Sequence, residues 1–256
     1  MADGARGLED RVVIVTGAAG GIGTAVARRL SSDGARLVLA DLEGADALAR
    51  DLPDGRAVAV AADVATEEGT RAYVDAALEA FGRIDGLHNN AAVVGPRAML
   101  PDSDPAAFDA VLRVNVRGVY LGLRAVLAEM RPRSRGAIVN MASVAGLRAH
   151  AGLAPYVTSK HAVIGLTRTA AVEAAAFGVR VNAVCPGPTD TEMIAEIERM
   201  AEPDDPAVAR AWLAGRSPMG RYATADEVAG LVCWLLGDEA SFVNGAAYTV
   251  DGGRTA

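Results

Sequence analysis

Cysteine is scarce in this chain: Cys185 and Cys233 are the only two among 256 residues. Both sit in apolar segments, so they read as buried thiols in a reducing compartment rather than as a disulfide, and a cytoplasmic location is expected. Histidine is scarce too, at three residues. No Cys/His cluster has metal-ligand spacing, so no metal site is expected. No apolar run reaches the roughly 18 residues that a membrane span needs. The opening segment Met1-Ala2-Asp3-Gly4-Ala5-Arg6-Gly7 lacks the apolar core of a signal peptide. Excess positive charge is also missing: the net charge of −7 argues against a general nucleic-acid binder. Apolar residues make up 51 % of the chain, with Ala and Gly supplying much of that, and small residues suit close helix–sheet packing. The length suits one α/β domain over residues 1–256 with a substantial core.

Short β-branched apolar runs recur between helical stretches. Strands are expected near 11–16, 35–40, 56–61, 84–88, 136–141, 179–184 and 246–250, and helices near 21–32, 43–51, 66–81, 104–130, 155–176 and 225–236. Such alternation predicts a parallel, doubly wound sheet flanked by helices on both faces. Ligands of these sheets bind beyond the carboxyl ends of the strands. Gly17, Asp41, Asp63, Asn90, Ser143 and Pro186-Gly187 all follow strands, which places them along one edge. The segment 189–222 mixes Met193, Ile194, Ile197, Met200, Trp212, Leu213 and Met219 with charges and three prolines. It reads as a helical lid over that edge, or else as an amphipathic surface excursion.

Two motifs carry chemistry. Tyr156-Val157-Thr158-Ser159-Lys160 puts a phenol and an ammonium one helical turn apart on one face. A free tyrosine, with a pKa of about 10, is a poor base at neutral pH, and a neighbouring cation favours the phenolate. The pair is therefore a candidate proton-transfer group. Near the N-terminus, Arg11-Val12-Val13-Ile14-Val15-Thr16 leads into Gly17-Ala18-Ala19-Gly20-Gly21-Ile22-Gly23 and then into a helix-forming stretch. Glycines let a ligand approach the backbone, and a helix N-terminus offers N–H groups to phosphate.

Together, Thr16-Gly17-x-x-x-Gly21-Ile22-Gly23 and Tyr156-x-x-x-Lys160 resemble the short-chain dehydrogenase/reductase family, and further motifs follow in order. Asn89-Asn90-Ala91-Ala92 resembles its N-N-A-G segment, with Ala92 in place of the glycine. Asn115 stands at the helix asparagine, Ser143 keeps the usual spacing to Tyr156, and Pro186-Gly187 is followed by Thr191. Pro218 to Ala229 resembles the late loop-to-helix segment, and Asp251-Gly252-Gly253 closes the match, which spans about residues 8–253.

The resemblance implies a Rossmann fold with a seven-stranded parallel sheet and a catalytic tetrad of Asn115, Ser143, Tyr156 and Lys160. Tyr156 would be the general acid/base and Lys160 would lower its pKa. Ser143 would hold the substrate oxygen, and Asn115 would keep a water in a proton relay to Lys160. The resemblance further implies cofactor contacts from Gly17, Gly21, Ile22, Gly23, Asp63, Val64, Asn90, Tyr156, Lys160, Pro186, Gly187, Thr189 and Thr191. Asp41 closes the second strand, where an acid accepts hydrogen bonds from ribose hydroxyls and repels a 2′-phosphate. NADP-using members usually carry Arg or Lys just after this position or in the glycine loop. Leu42 and Ala18-Ala19 stand there instead, so NAD is favoured over NADP. Asp41 could alternatively cap the next helix, as Asp63 could cap the one beginning near Thr66 and Thr191 the one beginning near Glu192.

The leading expectation is an NAD-dependent oxidoreductase acting on an apolar or cyclic secondary alcohol or ketone. A 3-oxoacyl-carrier-protein reductase and a catalytically silent NAD-binding regulator are the alternatives. The resemblance also implies a homotetramer. His150, between Ser143 and Tyr156, reads as a solvated loop residue, with contact to a polar substrate group as the alternative. His88 and His161 read as structural. Arg131, Arg133 and Arg135 read as a solvated helix end, where cations suit the dipole, or as a docking patch.

Overall fold

The computed structural model describes residues 7–53 and 55–256; the leader expectation for Met1 to Arg6 falls outside them. Seven strands form one parallel sheet: β1 Val12–Thr16, β2 Arg36–Asp41, β3 Ala57–Ala61, β4 Gly86–Asn89, β5 Gly136–Met141, β6 Val179–Pro186 and β7 Ala247–Val250. Their order is β3-β2-β1-β4-β5-β6-β7. The chain winds outward from β1 in one direction and then restarts at β4 in the other. The switch point between β1 and β4 opens a crevice at the carboxyl ends, where such folds bind ligands.

Nine α-helices are described: α1 Gly21–Ser32, α2 Ala45–Asp51, α3 Glu67–Phe81, α4 Pro105–Leu112, α5 Gly118–Met130, α6 Ala154–Ala175, α7 Glu192–Ala201, α8 Pro206–Gly215 and α9 Ala225–Leu236. Strand side chains alternate between the faces and build two cores. Val12, Ile14, Val38 and Ile138 face α3, α5 and α6. Val13, Val15, Leu37, Leu39 and Val139 face α1 and α9. Both faces are covered, which explains why these strands read as continuous apolar runs. Asn89 donates to Asn140 Oδ1 (2.9 Å) and Asn140 to Thr167 Oγ1 (2.9 Å), so a buried amide chain ties β4, β5 and α6 together.

One element departs from expectation. The helix read as continuous over 104–130 is interrupted: Arg113–Arg117 forms a π turn between α4 and α5. A local widening of this kind leaves no mark on apolar periodicity, since the helix continues on either side. The basic cluster is an exposed helix end, as expected, with its guanidiniums engaged by neighbouring groups. Arg131 lies 4.5 Å from the Phe177 ring centroid, Arg133 bonds Asp85 (3.3 Å), and Arg135 pairs with Asp238 (3.6 Å).

Candidate functional site

The turn after β1 is shaped by its glycines. Gly17 has φ +62°, and a Cβ there would stand 2.8 Å from Ala91 Cα. A Cβ on Gly21 would stand 2.7 Å from Thr191 Cγ2, and one on Gly23 would overlap the Gly17 carbonyl. The side chain of Asn90 pins the turn from across the switch point, donating to Thr16 O (3.1 Å) and Gly17 O (2.9 Å). The following helix α1 begins with no side-chain cap and no acid in its first turn. Its leading N–H groups are left for an anion, and no carboxylate competes for them.

Asp41 lies beside this turn. Its carboxylate accepts from Ala19 N (2.9 Å) and Leu42 N (2.8 Å). The capping alternative fails, because Gly44 occupies the N-cap of α2. Asp63 likewise leaves the N-cap of α3 to Thr66. It accepts from Ala65 N (2.9 Å) and from Arg113 (3.2 Å). Gly17, Gly21, Ile22, Asp41, Asp63, Val64, Asn90, Arg113 and Thr191 line one elongated cleft of about 1240 Å³. Arg113 was not among the expected site residues. Only the π turn swings it towards Asp63.

A second cavity, of about 870 Å³, adjoins the cleft. Ile22, Asn90, Ala92, Thr191 and Met193 line both. Ser143, Tyr156 and Lys160 meet in this cavity, alongside Pro186, Gly187 and Thr189. Ser143 caps the short 3-10 turn after β5, accepting from Ala145 N (3.1 Å). Tyr156 and Lys160 share one face of α6, with Nζ 5.4 Å from the ring centroid. Lys160 is 2 % exposed and donates to Met141 O (2.9 Å). It is the only lysine in the chain.

The protonation state differs from the sequence expectation. Tyr156 keeps part of its surface on the cavity, yet burial of its hydroxyl pushes the phenol up to about 12, with a Ser143 hydrogen bond acting the other way. Burial also pushes Lys160 down to about 8. The ammonium therefore does not lower the phenol in the protein by itself. Desolvation of both groups outweighs their proximity. At neutral pH the pair is a protonated phenol beside a protonated, readily titrated amine.

Asn115 is 1 % exposed and lies in the π turn. It accepts from Val93 N (2.8 Å) and donates to Val93 O (2.8 Å) and to Ser159 Oγ (3.0 Å). Ser159 in turn donates to Tyr156 O (2.7 Å). The Asn115 side chain thus fastens the cavity wall to the start of α6, with both of its N–H donors used. Thr191 occupies the N-cap of α7 without capping it; its hydroxyl donates to Thr189 O (3.2 Å).

The segment expected as a lid forms α7 and α8. Met193, Ile194, Ile197 and Leu213 face the cavity, whereas Trp212 and Met219 are 60 % and 64 % exposed. Arg210 clasps the lid by pairing with Asp190 (3.0 Å) and Glu198 (3.5 Å) and stacking on Tyr222. His88 is fully buried, and burial pushes it down to about 3, which fits the structural reading; His161 is exposed, with Nδ1 2.9 Å from Val157 O. His150 is not the solvated loop residue favoured above; it lines the cavity.

A dinucleotide-sized cleft, an anion-ready helix end and a Ser–Tyr–Lys set therefore converge at one switch point. A family model described as enoyl-(acyl carrier protein) reductase, of the short-chain dehydrogenase type, matches residues 17–255. The chain belongs to the short-chain dehydrogenase/reductase family. It is an oxidoreductase. It is 44 % identical to the cis-4-hydroxycyclohexanecarboxylate dehydrogenase of Sinomonas cyclohexanicum, over 96 % of this chain and 97 % of that one. A crystal structure of a levodione reductase superposes with a TM-score of 0.93 at 40 % identity, covering 96 % of this chain and 98 % of the other. That of an NAD+-bound xylitol dehydrogenase gives 0.91 at 36 %, covering 96 % and 99 %.

Proposed function

We propose that this protein is an NAD-dependent oxidoreductase that interconverts a secondary alcohol, apolar or cyclic, and its ketone. The observation that carries this reading is the union of the two cavities: Ser143, Tyr156 and Lys160 open into the same space as the glycine turn and Asp41. The cleft fits NAD on its own geometry. Backbone replaces side chain where Gly17 and Gly21 line it, the N-terminus of α1 suits the pyrophosphate, and Asp41 suits the ribose hydroxyls while repelling a 2′-phosphate. Asp63 and Val64 hold the adenine end. Pro186, Gly187, Thr189 and Thr191 hold the nicotinamide end.

NAD, when bound, would supply the hydride transfer. The residues do the proton work. In reduction, Tyr156, protonated with its pKa at about 12, donates to the nascent alkoxide oxygen. In oxidation the phenol must first release its proton to solvent, and the phenolate so formed takes the alcohol proton. Ser143 fixes the substrate oxygen. Lys160, with one N–H on Met141 O, retains two donors for the ribose and for proton exchange with solvent, while Asn115 braces the start of α6 through Ser159. The lid residues Met193, Ile194, Ile197 and Leu213 present an apolar wall that excludes water and suits a ring-bearing substrate. The 3-oxoacyl-carrier-protein and regulator readings lose weight: the carboxylate of Asp41 meets backbone N–H groups rather than a cation, and all four tetrad residues are present.

One domain with a lid at about 189–222, a homotetramer and a cytoplasmic location complete the proposal. Exposed Tyr120 on α5, Val172 on α6 and Phe242 before the edge strand β7 support further copies packing on these faces. Buried Cys185 and Cys233, not joined by a disulfide, suit a reducing compartment. The test is absorbance at 340 nm with NAD or NADP and a panel of cyclic, aromatic and open-chain secondary alcohols. NAD reduction by a cyclic alcohol is expected; turnover with NADP alone would overturn the cofactor assignment.

A further inference from the structure

The cavity wall is mostly apolar, with the polar side chains of Asn90, Thr189 and Thr191 among its lining, and it carries basic groups at two places. One is the Ser143–Tyr156–Lys160 set. The other is on the lid side, where Arg254 and His150 line the same cavity. Arg254 is half-buried and bonds one protein acceptor, Leu213 O on α8 (3.1 Å). Its guanidinium carries five N–H donors, so most of them remain for a ligand.

Its surroundings hold two further cations and one acid, Asp251. Arg148 and Arg216 stand near enough to Arg254 that, together with burial, they lower its pKa. Among the described residues, none of these three arginines has a carboxylate within ion-pair distance. The nearby acid Asp251 is engaged elsewhere: it accepts from Gly253 N (3.0 Å), Thr255 N (3.0 Å) and Thr255 Oγ1 (2.5 Å). Those bonds hold the tail with Arg254 turned to the cavity. His150 also faces this cluster. Burial first, then Arg254 and Arg216, hold its pKa below the ordinary imidazole value. Its ring has no hydrogen-bond partner among the described residues. A half-buried guanidinium with most of its donors unused, on the same cavity wall as an imidazole without a protein partner, offers an anion a charge-assisted hydrogen bond there.

We propose that the substrate is an apolar hydroxy acid or oxo acid, whose carboxylate is bound by Arg254, with His150 beside it, while its hydroxyl or carbonyl oxygen meets Tyr156 and Ser143. This rests on the dehydrogenase reading for the hydroxyl end only. Arg148 and Arg216, both exposed, add long-range attraction that draws the anion to the cavity mouth.

The test separates the two ends. Calorimetric titration of the native protein with cyclohexanecarboxylate, which has no hydroxyl to oxidise, is compared with its neutral isostere cyclohexanecarboxamide. The carboxylate is expected to bind at least about 10-fold more tightly, as one charge-assisted contact implies. The preference is expected to weaken with added salt, disappear in Arg254→Met and survive in part in Arg254→Lys. Equal binding of the two probes by the native protein, or an undiminished preference in a folded Arg254→Met, overturns the proposal. The second arm uses 3-hydroxycyclohexanecarboxylate and its methyl ester with NAD. A higher kcat/KM for the acid supports the site. Equal values overturn it and leave the dehydrogenase reading standing. Charge-selective binding with no NAD reduction by any alcohol does the reverse.

Discussion

Lys160 should lose its proton near pH 8, and the chain allows this to be seen directly because it has no other lysine. The ammonium is 2 % exposed, and its one protein acceptor is Met141 O. Moving its pKa from 10.5 to about 8 corresponds to about 3 kcal/mol against the charged form. Protein labelled at lysine Cε with carbon-13 should give one lysine resonance with a midpoint near 8. The sign of the stability effect follows. Between about 8 and 10.5 the unfolded chain still holds the proton that the native state has released, so native stability rises with pH across that window. Below it, the native protein bears the full cost of burying the charge. Relative to Lys160→Met, which buries no charge, the native protein should therefore gain about 3 kcal/mol from pH 7 to above 10.5 in urea unfolding. Tyr156, raised to about 12, acts with the opposite sign above pH 10 but is present in both proteins and cancels. A midpoint near 10.5, or a stability gap that stays constant with pH, would refute the desolvation argument.

Tyr156→Phe should cut turnover by at least ~10²–10⁴ while NADH still binds by fluorescence titration; retained turnover would remove Tyr156 from proton transfer. Asp41→Ser should shift the ratio of kcat/KM for NAD over NADP towards NADP by about 10-fold or more, the order for one charge at surface dielectric. An unchanged ratio would show that Asp41 only braces the glycine turn through Ala19. Arg210→Ala removes the partner of buried Glu198 and the clasp on Asp190. A stability loss of about 2 kcal/mol and a several-fold rise in alcohol KM are expected, with NAD affinity kept; if NAD affinity falls equally, the clasp does not act on the lid alone. Asn140→Ala strands the buried Asn89 N–H that donates to it and removes the N–H that Thr167 Oγ1 accepts, although the Thr167 hydroxyl keeps its bond to Val163 O (2.8 Å). It should lower the urea midpoint by the equivalent of about 2–3 kcal/mol without altering activity per folded molecule, and a change below about 0.5 kcal/mol would contradict the buried network.

Much of this site was legible in the chain because its parts are local. The strand–glycine–helix sequence at 11–30, the one-turn spacing of Tyr156 and Lys160, and the acid closing β2 are each set by a few neighbouring residues. Backbone sterics and helix geometry translate them directly into structure. The strand edges fell within two residues of expectation, since apolar runs buried on both faces end where the chain must turn. The ambiguous caps at Asp41 and Asp63 resolved only when the neighbouring glycine turn and the π turn came to lie against them.

Sequence by itself determined the fold class and the family and pointed to the proposed tetrad, because these rest on short-range periodicity and on motifs in register. Tertiary structure alone decided the electrostatics and the second polar end of the cavity. Whether Lys160 lowers the phenol of Tyr156 depends on how much water reaches both groups, and no spacing encodes that. His150 and Arg254 lie far apart in sequence, and no local pattern marks either as a ligand-facing residue. They meet because the Asp251 carboxylate folds the tail back and α8 supplies Leu213 O to hold the guanidinium. Burial and long-range closure, both properties of the assembled protein, made a reading of motifs into a reading of chemistry.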